Sequence, residues 1–401
     1  MAKLFYVLYV GAVCAVMVSS DPSKYLRTSD SNYHRSTYKR EHVIRRLYGD
    51  DNAIVRKTMN EIELRMSRYS TGYNSDPNHI VPYENHPFDR AARRRRLEEQ
   101  GDATNSTSAP TTTATYKPMR IRFETKALDD IRDSSNAAKI DWFKTEILQA
   151  TAAFWSSALS VVPVSGNLRI SSGELDSFTY CGDSEFTAVP NEHKSTGVED
   201  TDLILYVSGS SSERFCPDRT LAVAVPCNFD QFDRPTAGAI NVCLSGIILN
   251  SDGTSSPDVV QDYIDVTIHE VAHVLGHSSN SYRFFWDPET GTERTARPFT
   301  ESTVTCVDGV ERALVLPDTN TMEIGIDDRG RRFATIVTPK VRAIARNQFD
   351  CQSLGGAALE NQPTRAESCV GDHWDERLFY PEALSGVISP TSNILYELLI
   401  A

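Results

Sequence analysis

The sequence predicts an α+β fold, in which an N-terminal lobe with a mixed sheet carries a long buried helix and a disulfide-bonded C-terminal lobe follows. Three observations support this prediction. Strand and helix patterns follow one another between residues 117 and 277, the helical pattern at 257–275 is largely apolar, and seven of the eight cysteines come after residue 180. In a chain with an apolar leader, such cysteines are typical of disulfides, whose pairing the spacing alone leaves open.

The first 20 residues have the pattern of a secretory signal peptide. Residues 4–18 are apolar, Lys3 precedes them, and the small residues Ser19 and Ser20 follow. The apolar run is short for a membrane span, although an uncleaved anchor is the alternative interpretation. We therefore predict a secreted or extracellular protein, with association to a cell surface left open.

Residues 21–100 are predicted to form a removable pro-segment. They hold 16 Lys/Arg, 12 Asp/Glu and no cysteine, and the four arginines at 93–96 form either a basic processing site or a solvated cluster of charges. Residues 101–116 are rich in Ser, Thr and Ala, which is typical of a flexible linker, and contain a glycosylation sequon at Asn105. Ordered structure is expected to begin near Tyr116.

The region 117–277 is predicted to be the N-terminal lobe, and residues 278–401 an insertion followed by the C-terminal lobe. Alternating apolar residues at 119–123 predict a strand, and apolar residues at helical spacing over 140–159 predict an amphipathic helix. The apolar run within 201–209 predicts a buried strand.

The net charge of −13 is concentrated after residue 100, because residues 21–100 are basic on balance. An acidic body of this kind argues against nucleic acid or an anionic membrane as the main partner. We therefore expect no nucleic-acid partner, and the sequence predicts no particular oligomeric state.

The predicted long helix contains the most informative segment, HEVAHVLGH at residues 269–277. On a helix, His269 and His273 leave the same face one turn apart, which lets two neutral imidazoles bind one Zn²⁺ ion. Glu270 follows the first histidine, where a carboxylate can accept a proton from a zinc-bound water. Gly276 predicts a left-handed end to the helix. The alternative is two solvated histidines beside a salt-bridging glutamate, but the apolar flanks make that arrangement costly.

A catalytic zinc site needs a third protein ligand. After His273 the sequence contains two further histidines, His277 and His373, and the short-spaced pattern HExxHxxGxxH has Ser279 at its last position. Because the chain is expected to turn away after Gly276, elimination favours His373. The ligands that remain as alternatives are His277, Glu289 and Glu301.

Several segments, in order along the chain, resemble the leishmanolysin family of metzincin zinc proteases. They lie at residues 155–159 with 163–168, at 233–243, at 269–278 and at 372–378. The resemblance covers the chain from about Pro118 to its C-terminus. It implies a metzincin-like zinc protease fold.

The resemblance also implies a secreted zinc metalloendopeptidase that cleaves proteins or peptides. It assigns Glu270 as the general base. It further implies that the strand at 203–207 is a sheet edge on which an extended substrate pairs. We add Tyr380 as a candidate oxyanion donor, with a packing role as the alternative. The implied zinc ligands are His269, His273 and His373.

Two departures from the family's pattern qualify these expectations. Leu384 stands where the family has a methionine beneath the zinc, and we expect a modest effect because Leu and Met have similar volumes. The chain ends at Ala401 inside the helix that would follow, so we expect a truncated C-terminal lobe. These departures motivate the alternative of a catalytically impaired pseudo-protease that acts as a secreted adhesion or binding module.

Latency in this family often uses a cysteine in the pro-segment. Residues 21–116 contain no cysteine, so that form of latency is not supported here. A zymogen would instead depend on the basic pro-segment covering an acidic cleft.

Overall fold

The computed structural model describes most of the chain from residue 114 onwards and short segments before it. The described residues are 5–9, 12–16, 45–46, 59, 61–62, 78–89, 114–217, 220–306, 309–361, 369–379 and 382–388.

The N-terminal lobe contains a mixed sheet, as the sequence predicts, and this sheet has four strands. Its strands are β1 (Ile121–Glu124), β2 (Leu203–Ser208), β3 (Ala222–Phe229) and β4 (Pro235–Val242), in the order β1-β2-β4-β3. Strands β1, β2 and β4 are parallel, and β3 runs antiparallel to β4. Every residue of β2, β3 and β4 is buried, which explains why these strands read as continuous apolar runs.

The expectation that residues 203–207 form a sheet edge is wrong. Strand β2 pairs with β1 on one side and with β4 on the other, so its backbone hydrogen bonds are taken within the sheet. The edge strands are β1 and β3. A buried apolar run is equally typical of a central strand and of a covered edge, and the sequence pattern does not separate the two.

Two helices pack on this sheet. Helix α1 consists of three consecutive segments, Ala137–Trp142, Phe143–Ile147 in π-helical form, and Leu148–Ala158. Helix α2 spans Pro257–Val274. Its start follows from local chemistry, because the Ser256 hydroxyl accepts a hydrogen bond from the Val259 N–H at 3.3 Å and proline occupies the first helical position.

The C-terminal part contains a second, three-stranded antiparallel sheet. Its strands are β5 (Met322–Ile326), β6 (Arg332–Ile336) and β7 (Ala357–Ala358), in sequential order. Helix α3 (Pro339–Gln348) lies between β6 and β7 in the chain, and the short helix α4 (Glu376–Phe379) follows β7.

Among the described residues, no helix is both long enough and apolar enough to cross a membrane. Several shorter elements complete the described fold. Two short helices occupy Lys126–Asp130 and Asn191–Ser195, and 3₁₀ turns occupy Ser172–Glu174, Leu244–Gly246 and Tyr282–Phe284. Paired two- to five-residue strands are Phe5–Tyr9 with Ala12–Val16, Arg45–Arg46 with Val387–Ile388, Lys117–Pro118 with Ser160–Val161, Trp286–Asp287 with Thr292–Glu293, and Ser302–Thr305 with Glu311–Leu314.

One shared core holds the two parts together, and each disulfide of the described residues lies within one part. The pair Cys181–Cys227 attaches a loop to β3, Cys216–Cys243 joins the loop after β2 to the end of β4, and Cys306–Cys369 closes the insertion. The predicted disulfides are therefore confirmed. The largest apolar cluster combines buried residues of the first sheet, of α2 and of the C-terminal part, including Leu205, Val271 and Trp374.

Residues 78–89 pack on the N-terminal lobe, so folded contacts begin well before Tyr116. The side-chain amide of Gln231 accepts from the Val81 N–H and donates to the Val81 carbonyl, both at 3.0 Å. The Tyr83 hydroxyl donates to the buried Asp230 carboxylate at 2.6 Å. The rings of Phe88 and Trp286 stack with centroids 5.2 Å apart. The segment is thus fastened to the hairpin between β3 and β4.

We expect Tyr83→Phe to lower the free energy of unfolding by about 1.5–3 kcal/mol, because it removes a hydrogen bond to a buried charged group. The matched control is Ile80→Ala in the same segment, where the side chain is 67% exposed and the expected change is within about 0.5 kcal/mol. Urea unfolding of the three proteins measures both values. Equal midpoints for Tyr83→Phe and the parent would contradict the packing of residues 78–89 on the lobe.

Candidate metal centre

Helix α2 buries the histidines and the glutamate of its HExxH motif. His269, Glu270 and His273 are each 0% exposed, and every residue from 266 to 274 is buried. The helix lies between the first sheet and the C-terminal part, which explains the apolar residues around the motif. The predicted structural context of the motif, a buried helix, is therefore present.

The end of α2 follows from Gly276. This glycine has φ of +113°, a left-handed conformation that side chains disfavour. The Gly276 N–H donates to the His273 carbonyl at 3.1 Å and the His277 N–H to the Ala272 carbonyl at 3.0 Å, the two bonds of a Schellman motif. The turn brings the His277 carbonyl to 2.7 Å from His273 Nδ1, where it accepts the ring hydrogen bond.

A turn near the C-terminus provides the corresponding acceptor for His269. The Ala383 carbonyl lies 2.8 Å from His269 Nδ1. The next residue, Leu384, is 0% exposed and belongs to the core cluster that contains Val271 of α2. Its N–H donates to Glu382 Oε2 at 2.7 Å, and its carbonyl accepts from the Trp374 N–H at 2.9 Å. Leu384 is therefore a packed core residue in the stretch that resembles the family's methionine turn.

The structure brings His373 next to the two helical histidines, although 100 residues separate it from His273. Its ring centroid lies 5.1 Å from that of His269 and 5.3 Å from that of His273. Each of the three histidines offers a ring nitrogen within 4.8 Å of the others, and all three are buried. Among the described residues this is the group that could hold a metal ion.

Hydrogen bonds fix the ring tautomers of these histidines. The Nδ1 atoms of His269 and His273 face carbonyl oxygens, which accept only, so Nδ1 carries the proton and Nε2 keeps its lone pair. These two Nε2 atoms lie 2.9 Å apart. Two lone pairs at that separation repel each other, and a cation that both can bind relieves the repulsion.

The same rings are held in the neutral form that a metal requires. Burial, together with the neighbouring histidines, lowers the pKa of His269 well below its usual value. Burial also lowers the pKa of His273 to about 3. A donor set of three histidine ring nitrogens suits Zn²⁺.

Glu270 is buried next to His269 in the sequence, and its two carboxylate oxygens are buried with it. Neither oxygen has a hydrogen-bond partner among the described residues. Burial raises the pKa of Glu270 to about 8, against a smaller lowering by His373. A buried carboxylate without donors is costly, so its retention is better explained by a partner that enters the site, such as water or substrate.

The alternative third ligands lie elsewhere. The His277 ring packs on Trp374 with centroids 4.6 Å apart, and its Nε2 lies 3.2 Å from the Tyr282 hydroxyl. Ser279, at the position of the short-spaced pattern, donates its N–H to the Asp372 carboxylate at 2.7 Å. Tyr380 lies outside the described residues. The remaining candidate ligands are Glu289 and Glu301. Both side chains are exposed, and neither belongs to the histidine group.

Two partners of the histidines were not anticipated from the sequence. Glu360 Oε1 lies 2.9 Å from His373 Nδ1, and the Ala383 carbonyl accepts from His269. A single glutamate in the middle of an insertion gives no local signal. The carbonyl of Ala383 could have been suspected, because residues 381–386 match the stretch that the family places beneath its zinc.

Comparison with known proteins identifies the family of this chain. The family model described as leishmanolysin matches residues 103–399. A leishmanolysin-like peptidase of Caenorhabditis briggsae is 29% identical over 374 residues, which cover 80% of this chain and 51% of that protein. Leishmanolysin of Leishmania amazonensis is 26% identical over 212 residues, covering 52% of this chain and 28% of that protein.

A third relative is similar over a shorter stretch. The ciliated left-right organizer metallopeptidase of Mus musculus is 28% identical over 184 residues, which cover 45% of this chain and 22% of that protein. The chain spans about half the length of the leishmanolysin-like peptidases that it matches. Since the family model covers nearly three quarters of the chain and the motif lies on a buried helix, this chain belongs to the leishmanolysin family of peptidases.

Proposed function

We propose that this protein is a zinc metalloendopeptidase that hydrolyses peptide bonds within proteins. The observation that carries the proposal is the convergence of three buried histidines beside a buried glutamate whose oxygens have no hydrogen-bond partner among the described residues. Membership of a peptidase family supports the same reaction class. Substrates are accordingly proteins or peptides.

In this proposal each side chain has one role. His269, His273 and His373 hold the zinc ion through ring nitrogens. Zinc, when bound, supplies positive charge that polarises the scissile carbonyl and lowers the pKa of a coordinated water towards about 7. Glu270 accepts the proton of the attacking water and returns it to the leaving amine. Burial raises the pKa of Glu270, which makes its carboxylate a stronger proton acceptor than an exposed one.

We also propose that the protein acts outside the cell. Three disulfides in the described residues are typical of proteins that fold in an oxidising compartment. The signal peptide at 1–20, the pro-segment at 21–100 and processing at residues 93–96 remain parts of this proposal. They rest on the sequence pattern.

The first test is cleavage of gelatin or casein, with zinc supplied, by the parent protein and by Glu270→Gln. The variant keeps the size of the side chain but is a much weaker proton acceptor. We expect cleavage to fall by at least about 10²–10⁴-fold, the usual contribution of a general base. Zinc content should stay at the parent level. Equal cleavage by both proteins would mean that Glu270 is not the base.

A second test compares His373→Ala with His277→Ala by zinc content after dialysis. We expect His373→Ala to weaken zinc binding by more than about 100-fold, beyond the loss typical of residues that only contact a ligand. His277→Ala should retain zinc, because the carbonyl that accepts from His273 belongs to the main chain. If His277→Ala lost zinc and His373→Ala retained it, His277 and not His373 would be the third ligand.

A third test addresses the pseudo-protease alternative through Leu384→Met. Leu384 is buried, and Met has a similar volume, so we expect a change in stability below about 1.5 kcal/mol and in cleavage rate below about tenfold. Thermal unfolding and casein cleavage measure the two effects. A parent without activity and a Met variant with activity would show that Leu384 impairs catalysis.

A further inference from the structure

The third histidine is reached through an insertion that folds as a sheet of its own. Strands β5, β6 and β7 form that sheet, and the chain continues from β7 to Glu360 and then to His373. The Leu359 N–H donates to the Ala334 carbonyl of β6 at 2.9 Å, so the residue before Glu360 is still attached to the sheet. The position of Glu360 is thus set by the second sheet.

Glu360 contacts His373 twice. Its backbone N–H donates to the His373 carbonyl at 2.8 Å, and its carboxylate accepts from His373 Nδ1 at 2.9 Å. The same carboxylate oxygen accepts from the Asp372 N–H at 3.2 Å. Two residues after His373, the Asp375 N–H donates to the carbonyl of Ala358, the last residue of β7, at 2.9 Å. The segment that carries His373 therefore runs antiparallel to the residues that follow β7, with a bridge between Leu359 and Trp374.

Close packing leaves this pair little freedom. Glu360 is 5% exposed and His373 is 0% exposed. A Cβ atom built on Gly371 would come within 2.5 Å of the Glu360 carbonyl oxygen, so a side chain at Gly371 would displace Glu360. Only glycine allows the approach without a backbone shift.

The three histidines differ in what orients them. His269 and His273 donate to backbone carbonyls, whereas His373 donates to a carboxylate. A carboxylate acceptor fixes the ring tautomer, restrains ring rotation and makes the other nitrogen a stronger donor to a metal. The strongest orienting group thus acts on the histidine that comes from outside the helix.

We propose that Glu360 is a positioning residue that orients Nε2 of His373 towards the metal. The second sheet then contributes to the zinc site, because it holds Glu360 in place. The inference rests on the proposed zinc site. It assigns a purpose to the insertion, which otherwise contributes only His373. The affinity for zinc then depends on the position of β7 in the second sheet, because β7 leads directly to Glu360. No residue of β5, β6 or β7 binds the metal in the proposed site.

The test is the zinc affinity of the full chain, measured by competition with a chromophoric chelator for Glu360→Gln and Glu360→Ala. We expect about 10–100-fold weaker binding in Glu360→Ala, the range for loss of a carboxylate behind a ligand histidine. Glu360→Gln should lie between Glu360→Ala and the parent, because an amide oxygen still accepts from Nδ1 without the charge. The matched control is Glu323→Ala, an exposed glutamate on β5 of the same sheet, with affinity equal to the parent.

Thermal unfolding of the zinc-free proteins separates positioning from folding. Positioning predicts the affinity order parent, Gln, Ala, with the zinc-free midpoint of Glu360→Gln close to that of the parent. If His373→Ala abolishes tight binding while both Glu360 variants bind as the parent does, this inference is overturned and the zinc site stands. If His373→Ala itself binds zinc as the parent does, the proposed zinc site is the part that fails.

Discussion

The structure depends on one constraint, the burial of imidazole and carboxylate groups inside an apolar core. His269, Glu270 and His273 lie on a helix between the first sheet and the C-terminal part, and each ring N–H needs an acceptor because the side chains are buried. The acceptors come from three places: the turn after the helix, the turn around Ala383 and the end of the second sheet. The C-terminal part therefore supplies two of these acceptors, the Ala383 carbonyl and the Glu360 carboxylate.

The local part of the site could be predicted from the sequence because its determinants are local. A spacing of four residues fixes His269 and His273 on one face of a helix, and Gly276 fixes where that helix ends. The bounds of α2 and the position of β2 also followed from periodicity and caps, whereas β3 and β4 were not predicted individually. Family membership followed from motifs in their order along the chain.

What the sequence did not provide was pairing between distant segments. Strand β2 reads as a buried run whether it is central or at an edge, and only the pairing with β1 and β4 shows that it is central. The contacts of residues 78–89 were missed for a similar reason, since Tyr83 and Phe88 find their partners about 150 and 200 residues away. The role of Glu360 could not be predicted for the same reason. Its carboxylate reaches His373 only when the end of β7 lies beside the segment that carries His373.

The spacing of the three histidines has a consequence for assembly. His269 and His273 come together as soon as α2 forms, whereas His373 arrives only after about 100 residues of loop have closed and the second sheet has folded. An unfolded chain therefore offers no complete set of ring nitrogens. In a zinc-binding form of the protein, the metal would select the fully assembled chain from partly folded ones and add its binding free energy to the native state alone. The supply of zinc where the chain folds would then influence the yield of folded protein.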